Sequence, residues 1–273
     1  MKKTILLGTL VFFCASINYT KAFSFKETVS NAWNTVTFKK QKSETANFQK
    51  KVPPHTKITV NNLKGPITIK TWDRNEIVVE TEKTGADKIF ENTLIEQKLT
   101  DATYKISTNV KNKTDKPCTV AFTILAPKNA TFYSITTDNG DITINDSTQS
   151  ISALTKTGNI SIANSSGEIK VHTDYGNIKI SQQIPNPKDS IIVSAECGNI
   201  DLIVPKSFNN ANLYATTRRG KINSSIPITT TITTEINRKA MAKLTKNISG
   251  TIGKGGAHIK LQTERGMINI TTA

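Results

Sequence analysis

The sequence predicts an all-β chain folded as a β-solenoid, a β-helix-like stack of roughly 18–23-residue repeats. Three observations predict it: a glycine-centred repeat, strict alternation of apolar and polar residues on both sides of each glycine, and scarcely any helix-periodic apolar stripe after residue 50.

Taken from the N-terminus, Lys2 and Lys3 precede an apolar run from Ile5 to Ser16, and Thr20 and Ala22 stand where a signal peptidase reads its −3 and −1 residues. Residues 1–22 therefore read as a signal peptide, and the mature chain is expected to begin at Phe23. The apolar run is too short to cross about 30 Å of hydrocarbon as a permanent helix. Phe13, directly before Cys14, is too bulky for a lipoprotein cleavage site. No later segment is long and apolar enough for a membrane span, so none is expected once the signal is cleaved. Residues 23–52 form a basic segment. In it Phe25, Val29, Trp33 and Val36 fall at near-helical spacing and predict a short amphipathic helix over 25–38, either capping the stack or touching a membrane surface or partner.

Residues 53–273 read as the β-repeat domain. A partial copy of the repeat opens it, with Val60, Asn62, Gly65-Pro66-Ile67 and Ile69; Tyr104 to Val110 and Thr119 to Leu125 read as further strands around a turn from Asn112 to Pro117. The register Thr/Ala-x-x-Gly-x-Ile then recurs at Gly140 and Ile142, Gly158 and Ile160, Gly176 and Ile178, Gly198 and Ile200, Gly220 and Ile222, and Gly266 and Ile268. Residues two before the Thr/Ala are apolar, from Ile135 to Leu261. Those two after the Ile are apolar as well, from Ile144 to Ile270, except Ser224. The positions between them are polar. Each unit thus reads as two period-2 strands that meet at a glycine and share one apolar face. A one-residue slip would expose every isoleucine, so the register is strongly specified.

The glycines lie 18, 18, 22 and 22 residues apart from Gly140 to Gly220, then 46 apart to Gly266. The long gap suits two coils, one of them degenerate around Asn247 and Gly250-Thr251-Ile252, and Gly167-Glu168-Ile169 suits a second corner of one coil. The alternative architecture is an antiparallel hairpin meander in which each glycine closes a two-residue turn. Asn139-Gly140 fits such a turn, but Thr157, Tyr175, Arg219 and Arg265 would be forced to positive φ. Stacking is the better fit to the columns.

The net charge is +15, and +12 once Lys2, Lys3 and Lys21 leave with the signal. An exported chain this basic is expected to adhere to anionic polymers such as envelope or host-surface glycans; the alternative is that its scattered lysines merely reflect a lysine-rich genome. Aromatics and Arg are not interleaved with the lysines, so a specific nucleic-acid reader is not expected. Cys118 and Cys197 survive processing and could pair in an oxidising compartment. Cys118, in the alternating run with Val120, Phe122 and Ile124, also reads as a small buried hydrophobe.

No catalytic, cofactor-binding or metal residues are predicted. His55, His172 and His258 lack zinc-ligand spacing, and neither His-Glu-x-x-His nor Gly-x-Ser-x-Gly is present. The glycine-rich run 250–256 has no Gly-Lys-Ser/Thr for phosphate. The outward column before the glycines offers Asp138, Asp174 and Glu196, the acids a glycan lyase or hydrolase would need. Lys156 and Arg218 interrupt that column, which then reads as a solvated face of mixed charge. Asn159, Asn177 and Asn199 form a second outward column whose amides are expected to hydrogen-bond along the stack.

The Gly-x-Ile-x-Ile units, the run from Gly65 to Asn75 with Trp72-Asp73-Arg74-Asn75, and the ending from Gly255-Gly256-Ala257 to Gly266-Met267-Ile268 resemble the bacterial putative-adhesin domain family of unknown function. The resemblance covers roughly residues 50–273 and implies an exported, β-helix-like domain. The expected function is an exported, non-enzymatic, adhesin-like protein of the periplasm or cell surface that binds anionic polymers. The alternatives are a glycan-active enzyme on a β-helix and a purely structural periplasmic scaffold.

Overall fold

The structure, a computed structural model, describes residues 41–112, 116–183, 188–230 and 246–273. The expected signal peptide over 1–22 and the expected helix over 25–38 lie outside the described residues. In chain order the first elements are β1 (Gln41–Lys51), β2 (Lys57–Asn62), β3 (Ile67–Trp72), β4 (Glu76–Ala86), α1 (Asp87–Asn92), β5 (Thr93–Thr100), β6 (Thr103–Val110) and β7 (Thr119–Pro127). The repeats follow as β8 (Thr131–Asn139), β9 (Ile142–Asn145), β10 (Ile151–Thr157), β11 (Ile160–Ser165), β12 (Ile169–Tyr175), β13 (Ile178–Gln182), β14 (Ser190–Cys197) and β15 (Ile200–Val204). The last elements are β16 (Asn210–Arg219), β17 (Ile222–Ser224), β18 (Thr229–Thr230), β19 (Lys246–Gly253), β20 (Ala257–Arg265) and β21 (Ile268–Thr272).

Each repeat is one layer of a two-sheet solenoid. The strand before the glycine lies in one sheet and the strand after it in the other. Neighbouring layers pair in parallel and in register, Thr155 beside Thr173 and Ile160 beside Ile178. Parallel pairing of the repeats excludes the hairpin meander. Period-2 alternation turns every second side chain inward, so Ile142, Ile160, Ile178, Ile200 and Ile268 stack as a buried column. Ile144, Ile162, Ile180, Leu202 and Ile270 form a second one, with Cys118 buried in the same core. Gly167, at φ 88, turns the chain at the opposite corner between β11 and β12, as expected.

The glycine corner explains the rest of the motif. Gly158 has φ 149, and a methyl group there would overlap the carbonyl oxygen of Gly140 in the layer below. Only glycine lets successive corners approach this closely. Where the chain turns, two backbone groups leave the ladder, and side chains of the motif take them up. The Thr173 hydroxyl donates to Gly158 O at 3.0 Å, as Thr155 does to Gly140 O and Thr263 to Gly198 O. After Gly158, Gly176 and Gly198 the next N–H donates to an Asx oxygen one layer away: Asn159 N to Asp141 Oδ1 at 2.7 Å, Asn177 N to Asn159 Oδ1 and Asn199 N to Asn177 Oδ1, both at 2.9 Å. The asparagine column therefore does bond along the stack, chiefly from amide oxygen to backbone. In the partial copy, buried Asn62 takes the threonine place, with Nδ2 donating to Gly65 O at 3.0 Å and Val120 O at 2.8 Å.

The order of layers departs from the order of the chain at both ends. The pair β2/β3 lies between β6/β7 and β8/β9, and β20/β21 lies between β14/β15 and β16/β17. Each terminal layer is therefore paired on both sides. The expected degenerate coil around Gly250 is absent. That segment is β19, which runs antiparallel along β16 with Gly250 opposite Leu213 and Ile252 opposite Ala211. Alternation of period 2 reads the same in both directions, which is why the spacing misled. At the other end β4 runs antiparallel on β7, β1 on β4 and β5 on β6. Buried Phe90 of α1 lies beneath the ammonium groups of Lys42 and Lys83, 4.7 and 4.2 Å from its ring centre. Trp72 closes the β3–β4 turn through Nε1 to Glu76 O at 2.9 Å, with Arg74 stacked on its ring.

Candidate functional site

The outward face of the sheet that holds β8, β10, β12, β14, β20 and β16 carries the polar columns. Because β20 is inserted before β16, the column before the glycines runs in space as Asp138, Lys156, Asp174, Glu196, Glu264, Arg218. Lys156 Nζ meets Asp138 Oδ1 at 2.8 Å, and Arg218 meets Glu264 at 3.6 Å. The Asp138 carboxylate accepts that hydrogen bond and attracts the charge, holding the Lys156 ammonium above the usual lysine value; Asp174 adds to it. Arg218, read from the sequence as a break next to Glu196, sits instead beyond Glu264. Asp174, Glu196 and Glu264 are therefore consecutive.

His172 joins this row from the neighbouring column. Its Nδ1 is 2.8 Å from Ser194 Oγ and its Nε2 2.8 Å from Asp174 Oδ1. His55 and His258 lie elsewhere, at the turn before β2 and on β20. The Ser194–His172–Asp174 line has the connectivity of a nucleophilic triad. Such a triad also needs free N–H groups to hold an oxyanion, and β12 and β14 spend theirs on the parallel ladders on either side.

The second feature is the end of the stack formed by the last two layers and β19. Among the described residues, positions 205–273 hold eight Lys and Arg against one acid, Glu264, whereas positions 116–204 hold six against eight. At the glycine corner Arg219 and Arg265 are direct cross-strand neighbours. Lys246 Nζ donates to Gly220 O at 2.8 Å, and Lys221 follows that glycine. All four side chains are on exposed residues. Beside this corner, on the same outward face, a groove of about 570 Å³ is lined by Asn212, Tyr214, His258, Lys260 and Gln262 among others. No helix among the described residues is long and apolar enough to cross a membrane. Cys118 and Cys197 are both free thiols.

The family model described as Toastrack DUF4097 matches residues 108–271, from the end of β6 through β21, and so takes in all six full repeats. The chain belongs to the Toastrack DUF4097 family. No curated protein matches it. Among solved structures, a "putative cell adhesion protein" from Clostridium sporogenes is similar at 13% identity, over 86% of this chain and 100% of its own, with a TM-score of 0.47. A "putative adhesin" from Bacteroides fragilis is similar at 14% identity, over 84% of this chain and 97% of its own, with a TM-score of 0.40. A "putative lipid binding protein" from Parabacteroides distasonis follows at 10% identity, 85% and 96% coverage and a TM-score of 0.31. In this Toastrack DUF4097 domain the repeat residues are structural: the glycines, isoleucines and threonines build corner and core. The charged corner and the His172 row are particular to the outward side chains.

Proposed function

We propose that this protein is an exported, non-enzymatic, adhesin-like module of the cell surface or envelope, and that it binds anionic polymers through the basic end of its solenoid. The observation that carries this reading is the side-by-side placement of Arg219 and Arg265. Like charges directly opposite on neighbouring strands repel, and the one acid among the described residues of positions 205–273, Glu264, is paired with Arg218. An anionic group resting between the two guanidinium groups relieves that repulsion through charge-assisted, bidentate hydrogen bonds. Lys221 and Lys246 widen the positive corner. The adjoining groove, with its amides and the Tyr214 ring, suits the hydroxyls and flat faces of sugar units.

The test is elution from immobilised heparin, a probe for sulfated or phosphorylated glycans. The Arg219→Ser/Arg265→Ser pair should elute at clearly lower salt than the natural chain. The matched pair Lys98→Ser/Lys105→Ser, on neighbouring strands at the other end of the stack, should shift it little. Equal shifts for the two pairs would mean that only net charge is being read, and would remove the site. Release of reducing ends from glycans by the purified protein would instead support the enzyme reading.

A further inference from the structure

We propose that His172, Asp174 and Glu196 form a binding site for a divalent transition-metal ion of the zinc class on the outward face of the solenoid. The site does not depend on the anion-binding reading. Period-2 geometry puts His172 and Asp174 of β12 on one face, and the parallel register sets Glu196 of β14 beside Asp174. Donor atoms of the three lie within 4.8 Å of one another.

The surroundings favour a cation at this point. On one side Lys156 is committed to Asp138, and on the other Arg218 is committed to Glu264. Between them stand the Asp174 carboxylate, 2.8 Å from the His172 imidazole, and the Glu196 carboxylate, which has no basic partner within 4 Å among the described residues. A divalent ion balances both charges. Ser194 Oγ, at 2.8 Å from Nδ1, fixes the ring. When Nδ1–H donates to that oxygen, the Nε2 lone pair faces Asp174 Oδ1 at 2.8 Å, acceptor against acceptor, and an ion between them joins the two. In the other tautomer Nε2–H donates to Asp174, which is the metal-free arrangement.

The imidazole selects zinc, nickel, copper or cobalt over calcium and magnesium, which prefer all-oxygen shells. Three protein ligands leave positions for water, so the affinity should be micromolar rather than that of a closed structural site. A shallow groove of about 230 Å³, bordered by His172, Ser194, Glu196 and Glu264 among others, gives the ion access.

The test uses the full chain, purified without a polyhistidine tag and stripped with a chelator. Zn²⁺ is titrated by calorimetry, Co²⁺ by its visible absorption, and the histidine ring protons are followed by NMR. One equivalent should bind, with the His172 resonances shifted. His172→Asn and Glu196→Gln should each weaken binding by at least about tenfold, and Ser194→Ala by less, as a residue that orients a ligand. His258→Asn should leave binding unchanged. Absence of saturable Zn²⁺ binding, shifts at His55 or His258 in place of His172, or undiminished binding by a folded His172→Asn/Glu196→Gln double variant would overturn the site. Because the ring-proton shifts are read on the natural chain, the result stands even if a variant misfolds.

Discussion

At the scale of the residue, the repeat is a set of solutions to one backbone problem. A corner frees a carbonyl and an N–H from the ladder, and the threonine and asparagine columns satisfy them. Thr173→Val keeps the shape of the side chain but leaves the Gly158 carbonyl without its hydroxyl donor. It should cost about 1–3 kcal/mol in denaturant unfolding. Asn177→Asp retains the oxygen that accepts from Asn199 N, so its stability should change by less than about 0.5 kcal/mol. Ile178→Asp places a carboxylate in a fully buried column, against a net stability of about 5–15 kcal/mol for a typical fold. It should abolish soluble, cooperatively melting protein. Equal melting curves for the two aspartate variants would refute the inward register of Ile178.

At the scale of the element, the decisive feature is that β20 is a partner of both β14 and β16. In a solenoid whose layers follow chain order, trimming the C-terminus strips one layer and leaves the others paired. Here a chain ending at Lys254 loses an interior layer. β14 and β15 keep one neighbour, and β16 keeps only the antiparallel β19. We expect this truncation to remove amide-exchange protection from β16 as well as from β14, measured by hydrogen–deuterium exchange. Protection of β16 equal to that in the full chain would contradict the inserted order. The same logic holds at the other end, where β2 lies between β6 and β8. Pairing on both sides leaves neither inserted layer with an open parallel edge, and antiparallel β4, β5 and β19 cover β7, β6 and β16, while the three-residue β17 is left as the edge of its sheet.

At the scale of the whole molecule, charge is distributed unevenly along the stack. Described positions 116–204 are slightly acidic and 205–273 strongly basic, so an anionic polymer should be held at one end and not along the full face. Raised salt should weaken that binding, since the corner is exposed. Where the protein acts is a separate question, addressed by protease treatment of intact cells with detection of the C-terminal repeats. Digestion of the repeats while periplasmic markers survive is the expected result for a surface module. Protection until the envelope is permeabilised would exclude adhesion and favour a periplasmic scaffold.

The sequence by itself determined the repeat, its register, the inward isoleucines, the corner glycines and the parallel stacking, because each rests on local period and on steric limits at single residues. Even the buried role of Cys118 was legible from its alternating run. The edge strand β1 was not, since all but one of its residues are exposed and it carries no alternation; neither was α1, six residues long and held by Phe90. Only the tertiary structure decided which layers are neighbours. Period 2 carries no direction and no address, so β19 could pass for a coil and Glu264 could be placed beyond Arg218. Correcting that order brings Glu264 beside Glu196 and sets Arg219 against Arg265. The arginine corner is therefore a product of long-range strand pairing that no spacing along the chain encodes, whereas the contact of His172, Asp174 and Glu196 adds side-chain geometry to a register the repeat already contains.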